Sequence, residues 1–296
     1  MLNLSPRQLE VFVQTAQLGS LRAAADRIHL TQPAASMALA ELERLLGAPL
    51  FDRARGRLHL NAHGRELLPR AQELLERHAE FGQLARGEGG ALSGELRIGT
   101  SNTVGNYRVG ELLGGFVRAH PQVAIRLHVA NTDSIAALLL DHALDIGCVE
   151  GVIAHPQLRM KPWREDRLRV CAAPDHPLAR KRALKAADFA GVRWILRETG
   201  SATRAMTERA LAKLPPGELA LELDQTEAIK QAVAAGLGIA CLPEVALSDA
   251  LAAGRLKILK TPFLELRRTL SLLLHKQRYR GVLLNTFLRS LGDRQK

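Results

Sequence analysis

The stretch SLRAAADRIHLTQPAASMALAELERLLG, residues 20–47, constrains this chain more than any other. It sets two alanine-rich helical patterns back to back with almost nothing between them. A helix comes before them: Leu9, Phe12, Val13 and Ala16 recur at i, i+3, i+4 and i+7. Ser5 is suited to cap that helix, Pro6 to open it and Gly19 to end it. Ser20 then caps a second helix, whose apolar face is Leu21, Ala24, Ala25 and Ile28. His29 and Leu30 form a turn. Thr31 caps a third helix with Pro33 in its first turn, where a missing N–H costs nothing. Ala35, Leu39, Leu42 and Leu46 give it a buried face, and Gly47 stops it. Alanines let two short helices cross closely, and a tight capped turn fixes their angle, which describes a helix-turn-helix. The second helix of such a pair puts its N-terminal residues on base edges in the major groove. Here these are Thr31, Gln32, Pro33, Ser36 and Met37, with Ser20 at the start of the preceding helix. Gln32 can bond an adenine edge twice, Ser36 a base or a phosphate, and Pro33 can touch a thymine methyl.

APLFDRARGRLHLNAHG, residues 48–64, follows. Arg53, Arg55 and Arg57 bracket Gly56, and Leu58 and Leu60 alternate with His59. This predicts a β-hairpin wing with Arg53 and Arg55 available for phosphates or the minor groove. Asn61 caps a further helix that runs to about Arg86. Its Leu67, Ala71, Leu74, His78 and Phe81 recur at alternating spacings of four and three, the pattern of a linker helix that pairs with its own copy. Pro69 falls in its early turns. GEGGALSG, residues 87–94, is a flexible connection.

Beyond it, strand and helix patterns alternate, which argues for a parallel α/β domain. ELRIGTS (95–101), VAIRLHVA (123–130) and DIGCVEG (145–151) read as strands. Residues 106–120 and 133–143 read as helices. RLRVCAAP, WILRETG, LALELDQ and GLGIACLP form a second group of strands over about 166–265. RTLSLLLHK (268–276) then returns as a strand, with a last helix from about Tyr279. A chain that leaves one α/β lobe and comes back predicts two lobes, a cleft and two hinge strands. Three loops face that cleft, since ligands of open α/β sheets bind beyond the carboxyl ends of strands. Thr100-Ser101-Asn102-Thr103 ends a strand and opens a helix, where hydroxyls and free N–H groups suit an anion. Gly200-Ser201-Ala202-Thr203-Arg204 repeats that chemistry, and the Arg204 guanidinium could hold an oxyanion through two N–H groups. Glu150 ends a strand of the first lobe. For each loop, plain helix capping by Ser and Thr is the competing account.

The N-terminal segment resembles the LysR-type transcriptional regulators. The matching residues are Gln8-Leu9, Phe12, Gly19-Ser20-Leu21, Ala23-Ala24-Ala25, Leu30-Thr31-Gln32-Pro33-Ala34, Ser36, Leu42-Glu43, Leu46-Gly47, Leu50-Phe51-Asp52-Arg53 and Gly64. The resemblance covers the whole chain. It implies an α/β protein with an N-terminal all-α winged helix-turn-helix (1–60), a dimerisation linker helix (61–88) and a two-lobed effector domain (89–296). That domain is expected to resemble type 2 periplasmic binding proteins, with lobe I over about 94–165 and 266–296. The resemblance also implies double-stranded DNA with dyad-symmetric promoter sites as one partner, and self-association as a dimer or tetramer. SNTVGNY (101–107), VEG (149–151), WILRETGSATR (194–204) and TEAIKQAVAAGLGI (226–239) are similar to the sulfur-assimilation and sulfite-response branch, close to regulators of carbon fixation. This implies a small anionic effector, sulfite or a related sulfur oxyanion first, a phosphorylated carbon metabolite or organic acid second. The sequence departs from the family at Met37, where many relatives carry Arg or a polar residue, at Asn102, and in a shorter wing.

Other classes fit less well. A solute-binding protein on the same two-lobed fold would need a secretory leader, and MLNLSPRQLEVF carries charge early and no long apolar run. An enzyme would need a catalytic set, and no nucleophile elbow, HExxH or phosphate loop is present. Cys148, Cys171 and Cys241 are widely spaced in apolar runs, which suits buried, inert thiols and not a zinc site or disulfide framework. No cofactor or metal is expected, and no membrane span, so a cytoplasmic protein is expected. The net charge of +11 sits almost wholly beyond residue 88. That excess suits either an anionic ligand or a plain solvated surface.

Overall fold

The computed structural model describes residues 3–54, 57–85 and 91–292. The N-terminal domain opens with helices α1 (Pro6–Leu18), α2 (Leu21–Arg27) and α3 (Gln32–Leu46). The expected caps are all made. Ser5 and Gln8 form a reciprocal capping box, Ser20 Oγ accepts from the Ala23 N–H, and Thr31 Oγ1 from the Ala34 N–H. Each such cap is worth about 1 kcal/mol. Gly19 and Gly47 end α1 and α3 in the left-handed conformation, at φ 62° and 74°. The turn between α2 and α3 is pinned by Arg7, whose Nη2 donates to the Ile28 carbonyl at 2.9 Å. Strands β1 (Phe51–Ala54) and β2 (Arg57–Leu60) pair antiparallel as the wing. Phe12 meets Phe51 edge-on at 5.7 Å, tying α1 to the wing. Helix α4 (Ala62–Ala85) continues through Pro69. Gly64 is required there, because a Cβ would lie 2.2 Å from the Leu50 carbonyl oxygen.

The expected pairing seam of α4 divides in two. Ala71 is buried and Leu67 half-buried in the core of their own N-terminal domain. Leu74, His78 and Phe81 are exposed, Phe81 at 71%.

In lobe I, β3 (Gly94–Thr100) lies parallel to β4 (Val123–Val129) and to β5 (Ile146–Glu150). Strand β5 also pairs antiparallel with β11 (Arg267–His275). Side chains of β11 alternate between faces, as a strand requires. Leu270, Leu272 and Leu274 join α6 (Val109–Ala119) and α11 (Val282–Gly292) in one core, while Leu273 packs with α7 (Thr132–Leu140) on the other face. The helix expected at 106–120 begins earlier, as α5 (Asn102–Tyr107), and breaks at Arg108 before α6.

The largest departure from the sequence reading is β6. It runs unbroken over Leu158–Ala172 and crosses from lobe I into lobe II. The expected lobe boundary near residue 166 therefore falls inside a strand. In lobe I, β6 pairs with β11; in lobe II it pairs with β9 (Ala240–Pro243) and β10 (Lys257–Ile258). These pairings leave β6 and β11 as the crossing strands. Lobe II is completed by β7 (Arg193–Arg197) parallel to β8 (Glu218–Leu223), and by α8 (Ala202–Leu211), α9 (Thr226–Ala234) and α10 (Glu244–Ala252). No helix among the described residues is long and apolar enough to cross a membrane.

Candidate effector cleft and DNA-reading face

At the start of α3 the structure presents Thr31, Gln32, Pro33, Ser36 and Met37 together on one exposed face, Met37 at 74% exposure. The opposite side of the helix, Ala35, Leu39 and Leu42, anchors it in the core. Thr31 and Ser20 spend their hydroxyl lone pairs on capping, so each keeps an O–H to give. Arg53, on the wing, is exposed. Arg55 lies outside the described residues.

The cleft between the lobes is organised around one carboxylate. Glu150 ends β5 and is buried, 1% exposed. Three hydroxyls from the two predicted loops converge on it. Ser101 Oγ donates to Glu150 Oε2. From lobe I, Thr103 Oγ1 lies 3.1 Å from Glu150 Oε1; from lobe II, Thr203 Oγ1 lies 3.4 Å from the same oxygen. Ser101, Thr103 and Thr203 are all buried. Thr100 is buried beside them, and its Oγ1 has no partner. Asn102 turns its Oδ1 to the Asn106 amide at 3.3 Å. Ser201 acts as a plain cap, accepting from the Arg204 N–H at 3.4 Å.

The lobes close over this centre. The Asp133 N–H donates to the Gly200 carbonyl at 3.3 Å, and Asn131 Nδ2 to the Thr199 carbonyl at 3.4 Å. Tyr107 on α5 donates its hydroxyl to Glu227 on α9. Burial and that carboxylate push the Tyr107 hydroxyl's pKa up, so it stays a donor. Gly151 sits at φ 88°, and a Cβ there would fall 2.7 Å from that of Ala202. Any side chain at position 151 would hold the lobes apart.

Arg204, expected at the oxyanion, turns its Nε and Nη1 to lobe II groups. Its Nε donates to Glu208 at 2.8 Å, and its Nη1 to the Arg197 carbonyl at 2.9 Å and to Glu222. The helix spacing to Glu208 and the adjacent strand β8 claim it for lobe II. The cation of the cleft is Arg268, at the start of β11, which sequence reasoning passed over. Its Nη1 lies 2.9 Å from Thr203 Oγ1, its Nη2 3.0 Å from Thr103 Oγ1, and its Nε 2.7 Å from Asp166 Oδ2. Glu150 Oε1 is 3.6 Å from its Nη1. One guanidinium thus spans both lobes and both crossing strands. Arg268 also borders a cavity of about 640 Å³ with Arg108, Asp166 and Arg267. The available signal was a charge opening an otherwise apolar strand, RTLSLLL.

No cluster of metal-ligating residues occurs among the described residues. Cys148, Cys171 and Cys241 are buried, and burial pushes each thiol up, Cys241 to about 12. They are poor nucleophiles where they stand.

The family described as "Bacterial regulatory helix-turn-helix protein, lysR family" matches residues 6–65, and "LysR substrate binding domain" matches 89–296. The chain belongs to the LysR family. It is 41% identical over 288 residues to the HTH-type transcriptional regulator YeiE of Escherichia coli, across 97% of each chain. It is 32% identical to the RuBisCO operon transcriptional regulator of Allochromatium vinosum, over 80% of this chain and 79% of that one. Among solved structures it resembles a full-length OxyR variant from Pseudomonas aeruginosa (TM-score 0.77, 23% identity, 98% of this chain and 94% of that one). It also resembles the CcmR regulatory domain of Synechocystis in complex with 2-PG (TM-score 0.64, 29% identity, 69% of this chain and 98% of that one). As a LysR-type regulator, the chain joins a helix-turn-helix to a ligand-responsive two-lobed domain.

Proposed function

We propose that this regulator reads DNA through α3 and the wing, and senses a small oxyanion, sulfite first, in the cleft around Glu150. The observation that supports the ligand class is the convergence of three hydroxyls and the Arg268 guanidinium on one buried carboxylate. That set of donors is an anion cradle, and Glu150 occupies it. An incoming oxyanion takes over the hydroxyl donors and must then satisfy Glu150 as well. A ligand that carries its own proton does both: its oxygens accept from Ser101, Thr103 and Thr203, and its O–H donates to the carboxylate. Hydrogensulfite carries such a proton near neutral pH and sulfate does not, so the cleft selects sulfite over sulfate. Phosphorylated carbon metabolites are the second reading, supported by the RuBisCO operon relatives and by the 2-PG complex of the CcmR domain. A phosphate monoester, with its second pKa at about 6, offers a protonated form as the minor species near neutral pH.

The exposed Leu74 and Phe81 of α4 fit a seam with a second copy, which would offer two recognition helices to a dyad-symmetric site. Ligand that binds one cleft geometry better than the other then shifts the population of DNA-bound shapes. Calorimetric titration of the full chain with sulfite, sulfate, thiosulfate and 2-phosphoglycolate tests the ligand. Saturable sulfite binding is expected, weakened about 10- to 100-fold in Ser101→Ala, the range for a hydrogen bond to a charged group. Sulfate binding as well as sulfite would overturn the proton argument. 2-Phosphoglycolate binding in place of sulfite would favour the second reading.

A further inference from the structure

Strands β5 and β11 lie side by side, with Glu150 opposite Leu270 and Gly147 opposite Leu273. At the cleft end they carry Glu150 and Arg268. At the far end a second acid and a second arginine stand in the same relation. Asp145 comes just before β5, and Arg278 comes just after β11. Arg278 Nη2 lies 2.6 Å from Asp145 Oδ1. The same guanidinium grips the linker helix: its Nη1 donates to Gln72 Oε1 at 2.8 Å and its Nη2 to Glu76 Oε1 at 2.7 Å. Gln72 in turn donates to the His142 carbonyl at 3.1 Å. One and two turns further along α4, Arg77 lies 4.3 Å above the Tyr279 ring, and Glu80 accepts from the Val282 N–H at 2.7 Å. Asp145 and Gln72 are buried.

We infer that this joint is a latch: effector in the cleft releases the linker helix from lobe I by acting through β5 and β11. The inference rests on the reading that an oxyanion displaces Glu150 from its hydroxyls. Three observations carry it. First, the connection is short and stiff. Every residue of β5 is buried, and β3 and β11 bond it on both sides. The five steps from Asp145 to Glu150 span about 17 Å at strand geometry. A close-packed strand passes a displacement at one end to the other. Second, the latch is polar where it matters and loosely filled beside it. A cavity of about 260 Å³ lies between α4 and lobe I, lined by Leu75, Ala79, Leu92 and Leu283 among others. Third, the joint is incompletely satisfied. Arg278 Nε and Arg97 Nη1 are buried without partners, although Arg97 also bonds Asp145 at 2.6 Å. A buried donor left unmade costs free energy that release to water recovers. An element with such a cost sits near balance between docked and free, as a switch must.

Linkage gives the sign. If effector favours the released helix, breaking the latch favours effector, by the same factor. The test uses hydrogen–deuterium exchange and sulfite titration on the full chain. Glu150→Gln turns one acceptor oxygen into a donor and so breaks the hydroxyl set on that side without any ligand, and amides over 72–80 should then exchange at least about fivefold faster, the low end of ordinary allosteric coupling. The Gln72→Ala/Glu76→Ala variant changes no residue of the effector domain. It should tighten sulfite binding at least about fivefold and speed exchange in the 101–107 segment. Unchanged exchange over 72–80 in Glu150→Gln, or unchanged 101–107 exchange and sulfite affinity in the linker variant, would overturn the latch. If wild type fails to bind sulfite while Glu150→Gln still loosens 72–80, the sulfite reading fails and the latch stands.

Discussion

Replacing Arg268 with Met keeps the aliphatic stem and deletes the guanidinium that bonds Thr103 in lobe I and Thr203 in lobe II. The loss is larger than three hydrogen bonds. Among the described residues, Asp166, 1% exposed in its side chain, would keep Arg108 Nη2 at 3.5 Å as its ion-pair partner. Glu150 would lose the nearby positive charge at 3.6 Å. Removing one partner of a buried ion pair costs about 3–5 kcal/mol, because the other charge is left uncompensated. The chain's two tryptophans report on this directly, since Trp163 lies in the lobe I core and Trp194 in the lobe II core. Urea unfolding followed by tryptophan fluorescence should therefore show the loss in both lobes. With a slope of about 2 kcal/mol/M, the midpoint falls by about 1.5–2.5 M. A second substitution separates charge from packing. Asp166→Asn in the Arg268→Met background removes the stranded carboxylate, so the double variant should be more stable than Arg268→Met alone. Residues in one network are non-additive in this sense. A cost under about 1 kcal/mol for Arg268→Met, or a double variant at the sum of the singles, would refute the role given to Arg268.

Gln32→Ala should cost about 1–3 kcal/mol of discrimination at one base step, read by competition between the operator and single-base variants; equal loss on random DNA would remove Gln32 from readout. Arg53→Ala should weaken binding to all sequences and lower the salt slope by about 1, measured by titrating DNA affinity against salt. His142 is held neutral: burial first, then His275 and Arg278, pull its pKa from 6.5 to about 4. The unfolded chain therefore binds the proton first, and stability present at neutral pH is lost as pH falls from 6.5 to about 4. His142→Asn should flatten the thermal midpoint over that window, and Asn suits the position's φ of 55°.

The N-terminal domain was legible because its signals are local. Ser5, Ser20 and Thr31 cap the helices that follow them at once, and Gly19 and Gly47 end helices at their own positions. The cleft was half legible for the same reason. Ser101, Thr103, Thr203 and Glu150 sit at strand-to-helix or strand ends, where sequence marks them. Arg268 was not legible, because its partners Thr103 and Asp166 lie 165 and 102 residues away. Arg204 looked the better candidate only because it follows a Ser/Thr loop, and Glu222 claims it from another strand. Strand β6 was underestimated because its lobe I stretch does not alternate: only Leu158, Trp163 and Asp166 are buried among its first nine residues. Over its last five residues all but Arg169 are buried.

The charge excess beyond residue 88 looked like a surface feature, and much of it is structural. Arg97, Arg108, Arg197, Arg268, Arg278 and Lys230 are all at least mostly buried in their side chains and all in ion pairs. They order the cleft, the crossing strands and the linker joint, and are not available to a long anionic polymer. The DNA-reading domain and linker, by contrast, hold 11 arginines against 10 acids over residues 1–88. Non-specific affinity grows with the number of phosphates neutralised, so a nearly neutral reader gains little from a bulk field. Its affinity then depends on a few placed contacts, for which Gln32 and Arg53 are the proposed residues, and on doubling them through a second copy. Two weak half-sites bind jointly only when their spacing matches the DNA, because the second contact is then intramolecular. A reader of this kind is sensitive to geometry above all, and a latch on the linker helix acts on that variable.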